Sequence, residues 1–442
     1  MSGIYRFPIL PLPWIPSAPR KDFQMYGRSR LFRRIYLVLR TSDVREVLAN
    51  DSGRSAAFSV ADYGDHMRET VGDFFLGLDQ TAGNSYDVEK ELALKAFLAE
   101  TIHGSDAFEA LRADLTEIVR QETAAAVQSL ETVSRREIDV VSDLANKVPV
   151  RLVERYFGIP DRDGSLLQDC QEISFYIFNF FSELPGIRAL FRVRRRARKA
   201  GARLRENVGR EVMERWKILR GPSGPPRPQH VLDRLLLSDP TPKDEKEHLD
   251  RVRRTLTGLI SGALVATVGQ FVSAVDRLMD LPADDRRALQ YAALAAAHRG
   301  NPRPLWNQLR EASRFGAVPP FLFRRCRRPF KIARGSAREK TVFPGDLVVV
   351  SPMFAGRDPF TFQDPLAFNP LRPDSSYLLF GYGLHACIGA FFGEILMVQM
   401  AAQLFMLRGL ERNRERGRSV SYRGAPQSFV LNFLPAQPPL GV

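Results

Sequence analysis

The sequence predicts a mainly α-helical protein with a small β portion, folded as a single domain over residues 1–442. Three observations carry that expectation. Long stretches repeat apolar residues at the helical period, and strand-like pieces are few. One long helical stretch is apolar on every face, so it should run through an interior. A chain of 442 residues, 44% of them hydrophobic, is large enough to wrap a core around such a helix.

In chain order, residues 1–20, "MSGIYRFPILPLPWIPSAPR", hold five prolines. Prolines break helices, so this segment reads as an extended Pro-rich strap rather than a membrane span or a signal core. Ile9, Leu10 and Trp14 leave room for a peripheral membrane contact. Residues 104–130 and 139–160 read as amphipathic helices, and a basic helix follows over 188–220. The stretch "RGPSGPPRPQ", 220–229, has four prolines and two glycines and breaks the helix on either side. Residues 231–239 form a short helix, and Glu245–Leu281 forms the long apolar one. "VVVS" after the "PGD" turn and "FVLNFLP" near the end are the strand-like pieces. No other run looks long and apolar enough to cross a bilayer, and the expectation is a soluble, cytoplasmic protein with no transmembrane segment. Three scattered cysteines, Cys170, Cys326 and Cys387, exclude a disulfide framework and a CxxC zinc knuckle.

The formal net charge is +14. Much of it is local, because Arg188 to Arg220 contains thirteen Arg or Lys residues against three glutamates. A solvated helix face is the plain reading of this run, and docking of an acidic protein or an anionic surface is the sharper one. Without a stacking platform, zinc finger or basic zipper, nucleic acid is not an expected partner.

The densest chemistry is "FGYGLHACIG", residues 380–389. A thiolate that ligates a metal or attacks an electrophile needs nearby N–H donors and a fixed position. Gly381, Gly383 and Gly389 permit backbone conformations that aim amides at a sulfur, and an apolar helix begins just after Cys387. A Cys–His nucleophilic pair and an axial thiolate to haem iron both use such parts.

The spacing F-G-x-G-x-H-x-C-x-G resembles the haem-binding loop of the cytochrome P450 family. "EASR", Glu311–Arg314, resembles that family's E-x-x-R helix, and "DPLAFNPLRP" resembles its meander. The resemblance implies the cytochrome P450 fold, haem b as cofactor and Cys387 as its axial, catalytic ligand, with Phe380 opening the cofactor loop. It implies a structural triad of Glu311, Arg314 and Arg372 beneath the haem. It assigns the haem propionates to His385 and Arg324, with Arg325 as a substitute for the latter. Tyr86 and Lys90 in "YDVEKELALKAF" stand where the family carries a histidine and an arginine.

The long helix departs from the pattern. Leu259, Gly262, Ala263, Val265 and Ala266 would line the distal pocket, with Val265 where the family carries an acid and Ala266 where it carries a threonine. Thr267, one residue on, is turned by about 100 degrees. Activation of dioxygen consumes protons that a carboxylate and a hydroxyl ordinarily relay, and valine and alanine cannot donate them. Nor does the helix show an arginine to bind a fatty-acid carboxylate; Gln270 is its nearest polar group. "GLDQTAGNSY" and "RPLWNQLREASRF" resemble a minority branch of haem-thiolate enzymes that rearrange fatty-acid hydroperoxides.

The expectation is therefore an oxidoreductase of the P450 type acting on a hydrophobic small molecule. Monooxygenation leads, with electrons from an acidic ferredoxin or flavodoxin. A peroxide-dependent or isomerising enzyme acting on lipid hydroperoxides is the first alternative, and a non-catalytic haem-binding accessory protein is the second.

Overall fold

The structure is a computed structural model. It describes residues 27–28, 34–51, 56–72, 85–102, 104–132, 136–179, 187–221, 229–417, 420–422 and 425–434. The Pro-rich strap over 1–20 and most of "GLDQTAGNSY" and of the 220–229 break lie outside the described residues.

The apolar stretch forms the central helix Glu245–Leu278. Asp244 caps it by accepting the amide of Glu247 at 3.1 Å, and Glu245 and Glu247 place negative charge at its positive end. The helices packed on it include Leu166–Ser174, the basic helix Ile187–Leu219, Arg303–Arg314, and Ala390–Met406, which follows the cysteine loop. Contrary to the expectation that no run could span a membrane, the central helix is long and apolar enough by composition. Two-thirds of its apolar window is buried in protein, 67%, which is what an all-apolar surface requires of a core helix.

The Ala390–Met406 helix is also buried nearly all round, between Asp106–Thr132, Ala283–His298, Arg303–Arg314 and the central helix. Phe392 on its first turns sits 4.4 Å from the Phe97 ring, 5.2 Å from Tyr156 and 5.9 Å from Phe157. Burying one such ring is worth roughly 1.5–3 kcal/mol, so the cluster anchors the helix that begins at the cysteine loop.

The stretch 139–160 is not one regular helix. It divides into π-helical Val140–Ala145, α-helical Lys147–Leu152 and π-helical Val153–Phe157. Pro149 lies in the middle piece and has no N–H to give, so an unbroken ladder cannot form.

The β portion is small. A five-stranded sheet runs in the order Gly27–Arg28, Arg34–Val38, Leu347–Val350, Leu322–Cys326 and Phe58–Ser59. Its one parallel pair joins Arg34–Val38 to Leu347–Val350 and so brings early and late parts of the chain together. A three-stranded sheet of Glu137–Asp139, Val430–Asn432 and Glu411–Arg412, plus two hairpins, complete it.

The basic helix approaches Ala61–Val71 so closely that only glycine fits at Gly201. A Cβ there would lie 2.3 Å from the carbonyl oxygen of Thr70, a backbone atom that cannot swing away. Gly201→Ala should therefore cost about 1–3 kcal/mol of stability, read as a lower urea midpoint at unchanged slope.

Candidate functional site

The cysteine loop is held from inside. The amide of Cys387 donates to the carbonyl of Phe380 at 2.8 Å, and that of Ala386 to Gly383 at 3.1 Å. Gly383 has φ of +75°, and a Cβ on it would meet the Leu48 carbonyl oxygen at 2.6 Å, so both its conformation and its neighbour demand glycine. Phe380 stacks on Trp306 of the Arg303–Arg314 helix at 6.1 Å, 20° between rings.

Cys387 is exposed, in a loop that is half-buried to exposed throughout, with no buried residue from Leu379 to Phe391. Protein nevertheless surrounds its sulfur densely enough that desolvation pushes the thiol up, opposed by a hydrogen bond from the Gly389 backbone. A cation placed beside the sulfur would reverse the shift and favour the thiolate.

Beside the loop lies a charged cluster. Arg324 is 4% exposed and donates from Nε to Oδ2 of Asp51, itself 3% exposed, at 2.7 Å. The next residue, Arg325, turns to the other face of the strand, where it pairs with Asp62 and the Gly345 carbonyl. The Lys90 ammonium donates to the carbonyl of Leu384. His385 is disfavoured as a cation by burial first, with Arg324 and Lys90 adding to that effect, while the Asp51 charge and a hydrogen bond to the Asp51 backbone oppose it. The structure therefore brings His385, Arg324 and Lys90 together. The side chain of Tyr86 lies outside the described residues.

On the central helix, Gly262 and Ala266 are exposed and Ala263 and Val265 half-buried, in the middle of otherwise buried turns. A Cβ added at Gly262 would meet nothing within 4 Å. Residues four apart share a face, so Gly262, Ala263 and Ala266 form one open, apolar stripe with buried Leu259 at its edge. Thr267 is buried, off that stripe. Gln270 is a structural residue: its side chain accepts from the Val318 amide at 2.9 Å and donates to the Gly316 carbonyl at 3.1 Å.

Glu311, with 0% exposure, meets Arg314 at 2.6 Å and 3.0 Å and Arg372 at 3.3 Å. It also accepts from the Asn369 amide at 3.0 Å and the Tyr377 hydroxyl at 2.9 Å. Burial and the adjacent carboxylate push the Tyr377 phenol far up, so it remains a donor.

The Cytochrome P450 family model matches residues 305–412, which contain this carboxylate cluster and the cysteine loop. Residues 305–412 thus match the cytochrome P450 family, and the chain has the cytochrome P450 fold. The solved structure of the P450 enzyme CYP109B1 from Bacillus subtilis superimposes with a TM-score of 0.68 at 16% identity, covering 92% of this chain and 95% of that one. Two fungal proteins named bifunctional dioxygenase (DOX)-epoxy alcohol synthase (EAS) are also similar. The one from Pyricularia oryzae is 38% identical over 81 residues, 18% of this chain and 7% of its own. The one from Fusarium oxysporum is 28% identical over 159 residues, 34% of this chain and 12% of its own. The matched segments are thus a small part of either fungal protein.

The residues present fit the haem that a cytochrome P450 binds. An exposed thiol sits in the glycine-held loop, an apolar stripe presents no side chain larger than methyl at its open positions, and a cluster of cations stands beside the loop. Among the described residues no group of three or more His, Cys, Asp or Glu side chains could hold a metal ion. Sequence reading missed Asp51 and Tyr377. Their partners are 273 and 66 residues away, and neither stands in a motif that announces it.

Removing Glu311 leaves two buried guanidinium groups without their charge partner. Glu311→Ala should cost about 3–5 kcal/mol, seen as loss of soluble, haem-loaded protein and a lower thermal midpoint.

Proposed function

We propose that this cytochrome P450 is a haem-thiolate oxidoreductase of hydrophobic substrates that takes its oxygen from a preformed organic hydroperoxide. Cys387 would hold the iron through its thiolate, with haem b as the cofactor. The observation that carries this reading is the open stripe of the central helix, Gly262, Ala263 and Ala266, which offers no carboxylate or hydroxyl. When bound, the haem supplies a redox-active iron whose electron-rich thiolate ligand favours cleavage of O–O bonds.

The chain's own residues then divide the work. Cys387 would donate charge and hold the cofactor through its thiolate. Arg324, His385 and Lys90 would bind and orient the propionates, and Phe380 packs the loop onto the Glu311 helix. The apolar stripe excludes water and orients a hydrophobic substrate, and no side chain on it moves a proton. Reaction with dioxygen requires two electrons from a reductase and two protons through such a relay. A lipid hydroperoxide that rearranges needs neither: its O–O bond breaks, one oxygen stays on the chain as an alcohol, the other closes an epoxide on a neighbouring double bond, and the composition is unchanged. The names of the two fungal relatives, which pair a dioxygenase with an epoxy alcohol synthase, agree with this chemistry.

Reductant-driven monooxygenation is the second reading. The basic helix favours it, since exposed Arg192, Arg195, Arg198 and Lys199 would steer an acidic ferredoxin or flavodoxin. A haem protein without turnover under either regime would be an accessory binder. The burial of the central helix in protein supports a soluble protein.

Purified holoprotein given an unsaturated fatty-acid hydroperoxide, with no reductant, should consume it rapidly and yield a product of the same mass. Turnover only with a reductase and dioxygen would return the assignment to monooxygenation. Cys387→Ser should abolish the shifted absorption band of the reduced carbon-monoxide complex; a band that persisted would remove Cys387 as ligand.

A further inference from the structure

The Arg324–Asp51 pair is built in an unusual way for two buried charges. Only one of the possible fork contacts is made, Nε to Oδ2 at 2.7 Å, while Nη1 donates to the Phe323 carbonyl at 2.9 Å. Oδ1 of Asp51 is enclosed and has no hydrogen-bond partner. Nη2 of Arg324 makes no hydrogen bond to the protein and, unlike Oδ1, is not sealed from open space. A pair that served only to hold the strand to the Leu48–Asp51 turn would gain by closing the bidentate fork, which satisfies both oxygens and both nitrogens. This one leaves the outer donor edge of the guanidinium available. It does so next to His385, which bonds the Asp51 backbone, and within the field of Lys90.

We propose that Asp51 is a positioning residue for the cofactor: it fixes Arg324 through Nε so that the Nη2 edge is presented to a haem propionate. Its negative charge also limits how strongly that edge binds. The inference rests on the haem-thiolate reading above. Two consequences follow from one residue. Geometry comes from the acceptor oxygen, which asparagine would keep. Charge comes from ionisation, which asparagine would remove. The charge also acts on the iron: a resident anion near the propionates stabilises the oxidised, more positive state and holds the reduction potential down.

The experiment uses full-length holoprotein, wild type, Asp51→Asn and Asp51→Ala. Haem transfer to excess apomyoglobin gives the rate of loss, and spectroelectrochemical titration gives the midpoint potential. Asp51→Asn should lose haem several-fold more slowly than wild type and shift its potential to more positive values. Asp51→Ala, which drops the acceptor as well, should lose haem several-fold faster than Asp51→Asn while showing the same direction of potential shift. An Asp51→Asn protein matching wild type in both readouts overturns the proposal, as does one that loses haem as fast as Asp51→Ala. Should Asp51→Ala fail to fold, the asparagine variant decides alone through its potential. These outcomes are separate from the parent reading, which falls only if wild type itself lacks the thiolate absorption band; the proposal would then fall with it.

Discussion

The buried Glu311 carboxylate is the contact on which the site's frame depends. An ion with no exposed surface has lost its hydration, and it remains charged only where other donors replace water in full. Two guanidinium groups, a phenol and a backbone amide do so here. The arginines in turn spend their remaining donors on carbonyls of the loop: Arg314 on Gly356, Pro365 and Ala367, and Arg372 on Gln363, Asp364 and Ala367. An irregular segment with almost no backbone ladder thus gains fixed coordinates. It leads directly into the cysteine loop, whose Phe380 rests on the same helix through Trp306. Each part is expensive alone and stable only together, which is how a network of buried charges imposes one conformation.

How much of this the sequence disclosed follows from the range of each interaction. The cysteine loop was legible because its geometry is local: glycines at fixed offsets, a cysteine, a helix start. Glu311 and Arg314 were legible for the same reason, three residues apart on one helical face. Arg372 could be placed only through the family resemblance, and Asp51 not at all, since it meets Arg324 across 273 residues by way of a sheet whose register the sequence does not state. Lys90 was expected at a propionate, and the structure shows its ammonium on the Leu384 carbonyl. The central helix was read correctly as interior, yet its composition equally suits a bilayer, and only the helices packed on it separate the two.

The basic helix shows a similar division between what charge does structurally and what it leaves over. Arg194 meets Glu69, Arg203 meets Asp169, Arg215 meets Asp233 and Arg220 meets Glu245, so a large part of the run fastens this helix to its neighbours. Asp169 and Asp233 are almost fully buried, and for them the arginine is the condition of being there. The exposed remainder acts through the long-range field, and salt screens it within about 8–10 Å. Such a field raises the rate at which an acidic partner arrives, without touching the chemistry after arrival.

On the proposed reading, the choice of oxidant lies with the central helix. A wall of Gly262, Ala263 and Ala266 can shape and dehydrate a substrate, but it cannot deliver a proton. An enzyme so built works best on a substrate that brings its own weak bond and needs no proton from the protein. A hydroperoxide has that property, and dioxygen does not. On that reading, with no acid on this wall, the burden of cleaving the O–O bond would fall on the electron-rich thiolate of Cys387, whose loop Glu311, Phe380 and Gly383 hold in place.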